Sequence, residues 1–352
     1  MIIYEYKITS GENMKSYSPI ELHKKLFNEI TPSLRWNGLT DLKDHKKKCE
    51  EKLKELLGWD IFKEWEPNLQ IIKEEELNGS KYIHFIVETE KGYYANCHLL
   101  MPTVFEGRLP LCVGLQGHVS GAHLSLGVNK YDYDEVYLAE QHSDFCIQAI
   151  NNGYIGLAIE QRAFGDNTGR ETPGGTNCGY IAMQANLMGR TLVGERVWDV
   201  KQVINAVESH FSNIITMENS VLIGESGGGT ATFYSACLLN DFSIYVPGVA
   251  VCTFKDSIIN KEHCVCNYIP SIARYFDMGD LAVLIAPKKL IVVSALHDKW
   301  FPIEGAKKAY AQIEKIYKSQ NAQRNCAMII GEGDHRSYPE KTWSQIKKML
   351  NI

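Results

Sequence analysis

A serine, an aspartate and a histidine occur at spacings typical of nucleophilic catalysis, and the serine carries the clearest local signal. Ser226 is the centre of residues 224–228, which have the form G-x-S-x-G and follow the apolar run 221–223. This pattern predicts a strand, a sharp turn and a helix, the arrangement known as a nucleophile elbow. Glycines are needed there because side chains would collide with the neighbouring strand and helix. The turn should raise the Ser226 hydroxyl above the sheet edge and direct the helix N-terminus at developing negative charge.

The expected partners of this serine lie further along the chain. Asp298 follows the apolar run 290–296, and His335 follows the run 326–330, so each should lie just past a strand end. A serine hydroxyl is a poor nucleophile at neutral pH, so a neutral imidazole must take its proton. The carboxylate holds the ring in the required tautomer and stabilises the imidazolium. The order serine, acid, histidine is the one expected of a triad after a nucleophile elbow.

Other residues could take these roles. Asp334 and Asp256 are alternative acids, although Asp334 adjoins the histidine and would face its ring poorly. The chain has eleven histidines, so one histidine alone proves little. His297 adjoins Asp298 and is interpreted as a loop residue. Glu160 is a minor alternative as a second catalytic carboxylate.

The loop after the run 110–115 is the candidate for stabilising the oxyanion. It contains Gln116, Gly117 and His118. A backbone N–H from this loop and one from the residue after the nucleophile are expected to bind the oxyanion, and we assign them to His118 and Gly227. The alternative is an ordinary glycine-rich surface turn. The side chains of His118 and His123 could line the pocket or be solvated.

A series of short motifs in order carries a family resemblance from about Pro110 to the end of the chain. They are residues 116–118, 153–154, 160–166, 188–194, 197–200, 224–228, 264–270 and 285–287, Asp298 with 301–302, and 334–335. The chain resembles α/β hydrolases of the acetyl-xylan-esterase-like group, near the dienelactone-hydrolase and prolyl-oligopeptidase branches. The resemblance implies an α/β-hydrolase fold, a mostly parallel central sheet flanked by helices, and carboxylester hydrolysis, often of acetylated sugars.

The chain departs from this family pattern at four positions, all of which concern loop shape. Arg162-Ala163 stands where a basic residue followed by glycine is often found, and Glu160 stands where aspartate is more usual. Gln116 replaces a common histidine, and Val119 replaces a common glycine. The triad residues are not among these departures.

Composition limits the partners and the compartment. The 352 residues carry a formal net charge of −5, which argues against binding to nucleic acid or an anionic membrane surface. No apolar run approaches the roughly 18–20 residues of a membrane span. The sequence therefore predicts a soluble, cytoplasmic protein without a membrane or nucleic-acid partner.

The ten cysteines are predicted to be free thiols. Several lie within apolar runs, where a cysteine behaves as a small hydrophobic residue, and this suits a reducing compartment. The segment from His263 to Cys266 suggests zinc, but a C-x-C pair lacks the second half of a zinc signature. No metal and no organic cofactor is therefore predicted.

The sequence predicts a helical N-terminal extension, residues 1–65, followed by a catalytic domain, residues 66–352. Period-two apolar residues between 83 and 100 predict an antiparallel hairpin. Buried parallel strands are predicted near 111–115, 154–159, 220–224, 248–253, 290–296 and 326–330. The glycine-rich segment 165–188 is predicted to be an active-site loop, with Arg162 and Glu160 paired beneath it.

Together these features predict a serine carboxylesterase. The family resemblance implies that it acts on small acyl esters, such as acetyl esters of sugars. Its partner would be a small-molecule or oligosaccharide ester. The alternatives are a peptidase, a lactonase or an acyl transferase with the same triad, or a non-catalytic binding protein on a hydrolase scaffold. The acyl length, the alcohol and the oligomeric state are not fixed by the sequence.

Overall fold

A single nine-stranded sheet forms the centre of the computed structural model, which describes residues 18–38, 42–171 and 174–352. The spatial order of its strands is β1-β2-β3-β5-β4-β6-β7-β8-β9. The pairs β1/β2, β2/β3 and β3/β5 are antiparallel, and all remaining pairs are parallel. The strands are β1 Asn68–Leu77, β2 Ser80–Glu90, β3 Tyr93–Pro102, β4 Leu109–Leu115, β5 Ile155–Ile159, β6 Ile215–Glu225, β7 Ile244–Gly248, β8 Lys289–Ala295 and β9 Cys326–Gly331.

Helices connect the parallel strands and cover the sheet. They are α1 Pro19–Glu29, α2 Leu42–Leu57, α3 Asp134–Ala139, α4 Phe145–Asn151, α5 Cys178–Leu187, α6 Leu192–His210, α7 Gly227–Leu238, α8 Ala282–Ile285, α9 Ile303–Ser319 and α10 Pro339–Leu350. Within the described ranges, none of these helices combines the length and apolar character needed to cross a bilayer. This strand order with its flanking helices is the α/β-hydrolase fold, as the sequence predicted.

The two faces of the sheet bury alternate residues of each strand. On β6, Leu222 contributes to the core shared with α6 and α7, whereas Val221 and Ile223 contribute to the core shared with α4 and α10. Strand β8 alternates in the same way. Because both faces are covered, these strands are apolar at consecutive positions, and this is the pattern that identified them in the sequence. The carboxyl ends of the strands then form one edge, where ligands bind in such sheets.

Two strands differ from the predictions. Strand β1 was not predicted, because it is an edge strand with mostly exposed side chains and shows no apolar alternation. The prediction of a strand at 248–253 is wrong, since β7 ends at Gly248. Residues 249–252 are buried in the loop beyond that strand end. Apolar content alone cannot distinguish a buried loop from a buried strand.

The N-terminal extension joins the main core through α2, which packs against α8. Helix α2 buries Cys49, Leu53 and Leu57 in the main core and is followed by Gly58 with a φ of 70°. Helix α1 buries no residue and Leu22 is 54% exposed, while Phe27 packs, partly buried, against the main core. Residues 1–17 and 39–41 of the extension lie outside the described residues, and the boundary at 65 stays a prediction.

The segment 165–188 contains more regular structure than a loop. Its second half is helix α5, and its first half begins with a 3₁₀ turn at Gly165–Asn167. Pro173 lies outside the described residues. The prediction that Arg162 pairs with Glu160 beneath this segment is wrong. Arg162 binds Asp199 (Nε to Oδ2, 2.7 Å) and Glu90 (2.7 Å). Glu160 instead accepts backbone N–H groups.

Candidate active site

Ser226 is the single residue between the end of strand β6 and the start of helix α7. Its φ of 54° and ψ of −115° are unusual for a residue with a side chain. The Ser226 N–H donates to the Gly248 carbonyl on the neighbouring strand (2.9 Å), and the Ser226 carbonyl accepts from Thr230 N–H (2.8 Å). These bonds hold the strained residue at the carboxyl edge of the sheet. The side chain is partly exposed although the surrounding residues are buried.

The glycines around Ser226 are required by close backbone packing. A Cβ at Gly224 would overlap the first turn of α7, and a Cβ at Gly228 would overlap the Leu115 carbonyl of β4. A Cβ at Gly117 would lie 3.0 Å from the Ser226 Cβ. Strand β4, the elbow and the loop after β4 therefore approach each other without intervening side chains. This is the physical reason for the G-x-S-x-G spacing that the sequence displays.

Asp298 and His335 meet at the same edge. The His335 Nδ1 lies 2.8 Å from the Asp298 Oδ2. The other oxygen of Asp298 accepts the backbone N–H groups of Trp300 (2.8 Å) and Phe301 (3.0 Å), which fixes the carboxylate. The His297 N–H also donates to the Gly333 carbonyl (3.1 Å), so the loops after β8 and β9 are joined.

The alternative acids and bases lie elsewhere. Asp334 and His297 are exposed, and Asp256 pairs with Lys308 (2.9 Å). Glu160 is buried and does not line the cavity that contains Ser226. The carboxylate on the His335 imidazole is thus Asp298. The catalytic roles of these residues stay a prediction.

The loop after β4 lies directly against the elbow. The His118 ring covers Gly227, since a Cβ on Gly227 would lie 2.9 Å from the His118 Cε1. Gly227 is the first residue of α7, and first-turn N–H groups have no partner within their helix. Val119 N–H donates to the Gly117 carbonyl (2.9 Å), which closes the loop tightly. The assignment of the His118 and Gly227 N–H groups to an oxyanion hole stays a prediction.

Ser226, His335 and His118 line one cavity of about 410 Å³. Aromatic side chains form part of its wall, and Trp300 is 48% exposed there. Glu262 and Glu225 also line it, and no lysine or arginine does so among the residues that the structure describes. No described residue of 165–188 lines this cavity either, so the role of that segment as an active-site loop stays a prediction.

Sequence reasoning missed several cavity residues. His263 bonds to the Trp300 carbonyl (3.0 Å) and its ring packs on Phe301, at 5.0 Å between centroids. Tyr137 and Gln141 come from α3 and the loop after it. None of these residues lies in a catalytic motif, and their convergence depends on loop paths. The motif 264–270 was the one available signal for the His263 side of the cavity.

Glu225 and Glu160 are buried carboxyls near this edge. Burial raises the pKa of Glu225 to about 7, opposed by the nearby His335 and by the hydrogen bond from Ser337 (2.9 Å). Burial likewise raises the pKa of Glu160 to about 7. The folded protein therefore keeps protons that an unfolded chain, with a glutamate pKa of 4.5, releases. The raised pKa values of Glu225 and Glu160 therefore stabilise the folded state fully below pH 4.5, and this stabilisation is lost as the pH rises through about 7.

Glu225→Gln should therefore become more stable relative to wild type as the pH rises from about 5 to 8. The gain is expected to be on the order of 3 kcal/mol, because one pKa unit corresponds to about 1.4 kcal/mol. Urea unfolding of both proteins across this range measures it. The exposed Glu304 on α9 provides a control, and Glu304→Gln should show no such trend. A difference between Glu225→Gln and wild type that stays constant with pH would contradict the assignment.

No protein-family model matches the chain. The chain is 24% identical over 242 residues to the protein called "Putative hydrolase YtaP" from Bacillus subtilis, covering 67% of this chain and 76% of that protein.

Solved structures of similar fold include a putative acetyl xylan esterase from Bacteroides fragilis, with a TM-score of 0.73, 12% identity and coverage of 96% and 92% of the two chains. A glucuronoyl esterase from Solibacter usitatus has a TM-score of 0.68 at 13% identity, with coverage of 91% and 97%. An acetyl xylan esterase from Paenibacillus sp. R4 has a TM-score of 0.56 at 15% identity, with coverage of 93% and 99%. At these identities the comparison establishes the shared α/β-hydrolase fold.

Proposed function

We propose that this protein is a serine carboxylesterase. The observation that carries the proposal is that the strained elbow Ser226 and His335 line the same cavity. The buried Asp298 holds the other side of the His335 ring, with His335 Nδ1 2.8 Å from Asp298 Oδ2. The hydrogen bond to Asp298 leaves Nε2 of the neutral imidazole as the proton acceptor. The esterase names of several proteins with the same fold support this chemistry.

In the proposed reaction, His335 takes the proton of Ser226 as the hydroxyl oxygen attacks the ester carbonyl. The backbone N–H groups of His118 and Gly227 stabilise the negative oxygen of the tetrahedral intermediate. His335 then gives the proton to the departing alcohol, which leaves an acyl group on Ser226. Water activated by His335 releases the acid and restores the serine.

We propose a neutral, small-acyl ester of a sugar as the substrate class. The cavity of about 410 Å³ holds a short acyl group with part of an alcohol. The exposed face of Trp300 offers an apolar surface for a sugar ring, and Glu262 can accept hydrogen bonds from hydroxyls. Among the described lining residues no side chain carries a fixed positive charge, which disfavours substrates with a free carboxylate near the ester.

A panel of esters tests this proposal. Hydrolysis of p-nitrophenyl esters from acetyl to octanoyl should show the highest kcat/KM for the shortest acyl groups. Acetylated xylo-oligosaccharides should be deacetylated, and a methyl glucuronate ester serves as the comparison substrate. Preference for long acyl chains would overturn the small-acyl assignment. Absence of hydrolysis across the panel would favour a binding protein, and product transfer to added alcohols in preference to water would favour an acyl transferase.

A further inference from the structure

A histidine and three cysteines converge beside the elbow serine. The Nε2 of His118 lies 3.2 Å from the Cys266 Sγ, which lies 3.3 Å from the Cys264 Sγ. Cys178 completes the group, and one ligand atom from each residue lies within 4.8 Å of all the others. The four residues come from three distant stretches of the chain, so the fold and not a local motif assembles them.

The separations suit a tetrahedral metal site. With metal–ligand bonds of about 2.3 Å to sulfur and 2.0–2.1 Å to nitrogen, ligand atoms around zinc lie roughly 3.5–3.8 Å apart. The two separations of 3.2 and 3.3 Å are slightly shorter than these values, and all separations lie within 4.8 Å, so small shifts of the side chains would admit the ion. A Cys₃His set is a recurring structural zinc site, and thiolates with imidazole favour zinc over magnesium or calcium.

The remaining seven cysteines show why this group is unusual. They are buried singly or packed among apolar side chains, which is the ordinary setting of a free thiol. Cys178 and Cys266 are 3% and 4% exposed and also have apolar neighbours, but each of them in addition faces the ligand-type atoms of the cluster. His118 and Cys264 are partly exposed at the wall of the cavity, while Cys178 and Cys266 lie buried behind them. Three thiols and an imidazole gathered in this way fit a shared ligand better than plain packing.

The surroundings balance the charge of such a site. Three thiolates and one Zn²⁺ sum to one negative charge, and the buried Arg196 guanidinium supplies one positive charge. Its Nη2 lies 3.4 Å from the Cys178 Sγ, while the Arg162 carbonyl accepts from Nη2 (2.9 Å) and Nε (3.1 Å). Cys178 is also the first residue of α5, where helix N–H groups favour a thiolate. Buried charges are tolerated when they are paired in this way.

We propose that His118, Cys178, Cys264 and Cys266 bind one zinc ion in a closed structural site. All four positions are filled by protein, so the ion has no open position for a substrate. The site joins the loop after β4, the start of α5 and the turn at 264–267. Its function is to hold the His118 loop, and with it the backbone next to Ser226, in place. The proposal does not depend on the proposed ester chemistry.

Metal analysis of the intact reduced protein tests this site directly. Protein produced with zinc in the medium should contain about one zinc per chain by elemental mass spectrometry. After removal of the metal with a chelator under reducing conditions, added Co²⁺ should bind at one equivalent. It should then give the intense visible bands of tetrahedral thiolate coordination. Fewer than about 0.1 equivalents of zinc or cobalt in the folded protein would overturn the proposal.

Matched cysteine variants distinguish zinc binding at the cluster from adventitious zinc binding elsewhere on the protein. Cys178→Ala and Cys266→Ala should lower zinc affinity by more than about tenfold, because even loss of a hydrogen-bond partner to a ligand costs about 10–100-fold. Cys326→Ala removes a buried cysteine outside the cluster and should keep the zinc. Equal zinc content in all three variants would overturn the assignment. If a cluster variant fails to fold, the cobalt titration of the wild type still decides the question.

Discussion

Replacing Ser226 with alanine is expected to lower kcat for p-nitrophenyl acetate by about 10⁴-fold or more. Loss of a nucleophile removes the covalent route and leaves only the weaker catalysis by binding and oxyanion stabilisation. KM should change little, because the substitution removes one oxygen from a cavity of about 410 Å³. A fluorophosphonate probe, which reacts with activated serines, should label the wild type and not Ser226→Ala.

Ser235 provides the matched control for this experiment. It lies on α7, nine positions beyond Ser226, and its buried hydroxyl has no hydrogen-bond partner among the described residues. Ser235→Ala should therefore keep both labelling and hydrolysis. Equal labelling of wild type and Ser226→Ala would assign the reactive group to another residue. Loss of labelling in Ser235→Ala as well would indicate a folding effect instead of a chemical one.

The sequence could predict the elbow because its geometry is encoded locally. Gly224 and Gly228 are demanded by contacts with α7 and β4, and those contacts exclude any side chain. The meeting of Asp298 and His335 could be predicted for a different reason. Both follow apolar runs, and parallel strands that are covered on both faces place their carboxyl ends at one edge. The order of the predicted strand ends along the chain was thus enough to predict the contact between Asp298 and His335.

Other features depend on long-range packing that leaves no local pattern. The run 249–252 is apolar because it is buried in the loop after β7, although it is not a strand. Arg162 pairs with Asp199 on α6 and not with Glu160, which is nearer in sequence. The reason is that α6 contacts the segment that follows β5, where Arg196 also donates to the Arg162 carbonyl. The ligand-type cluster required Cys178 to meet Cys264 and Cys266 from a distant segment. In the sequence, the C-x-C pair lacked the further ligands of a zinc site. The fold brings Cys178 and His118 to this pair, and this convergence is the basis of the proposed metal site.

Asp298→Asn tests the acid, and a loss in kcat of about 10³–10⁴-fold is expected. The asparagine oxygen can still accept the N–H groups of Trp300 and Phe301, so the loop geometry should be kept. Its amide would donate to His335 Nδ1, and the proton of the neutral ring would then move to Nε2. That nitrogen could no longer accept the serine proton. Steady-state kinetics should show the loss in kcat with little change in KM, and folding can be checked by urea unfolding.

Asp334 supplies the control, because it is adjacent to His335 and its side chain is exposed. Asp334→Asn changes the same charge close to the same imidazole without touching Nδ1. It should retain activity within a few-fold, since an exposed charge acts on its neighbours only weakly through water. A comparable loss in both variants would show that net charge near His335, and not the hydrogen bond from Asp298, controls the reaction. Full activity in Asp298→Asn would remove the acid from the proposed triad, because no tautomer selection would then be needed.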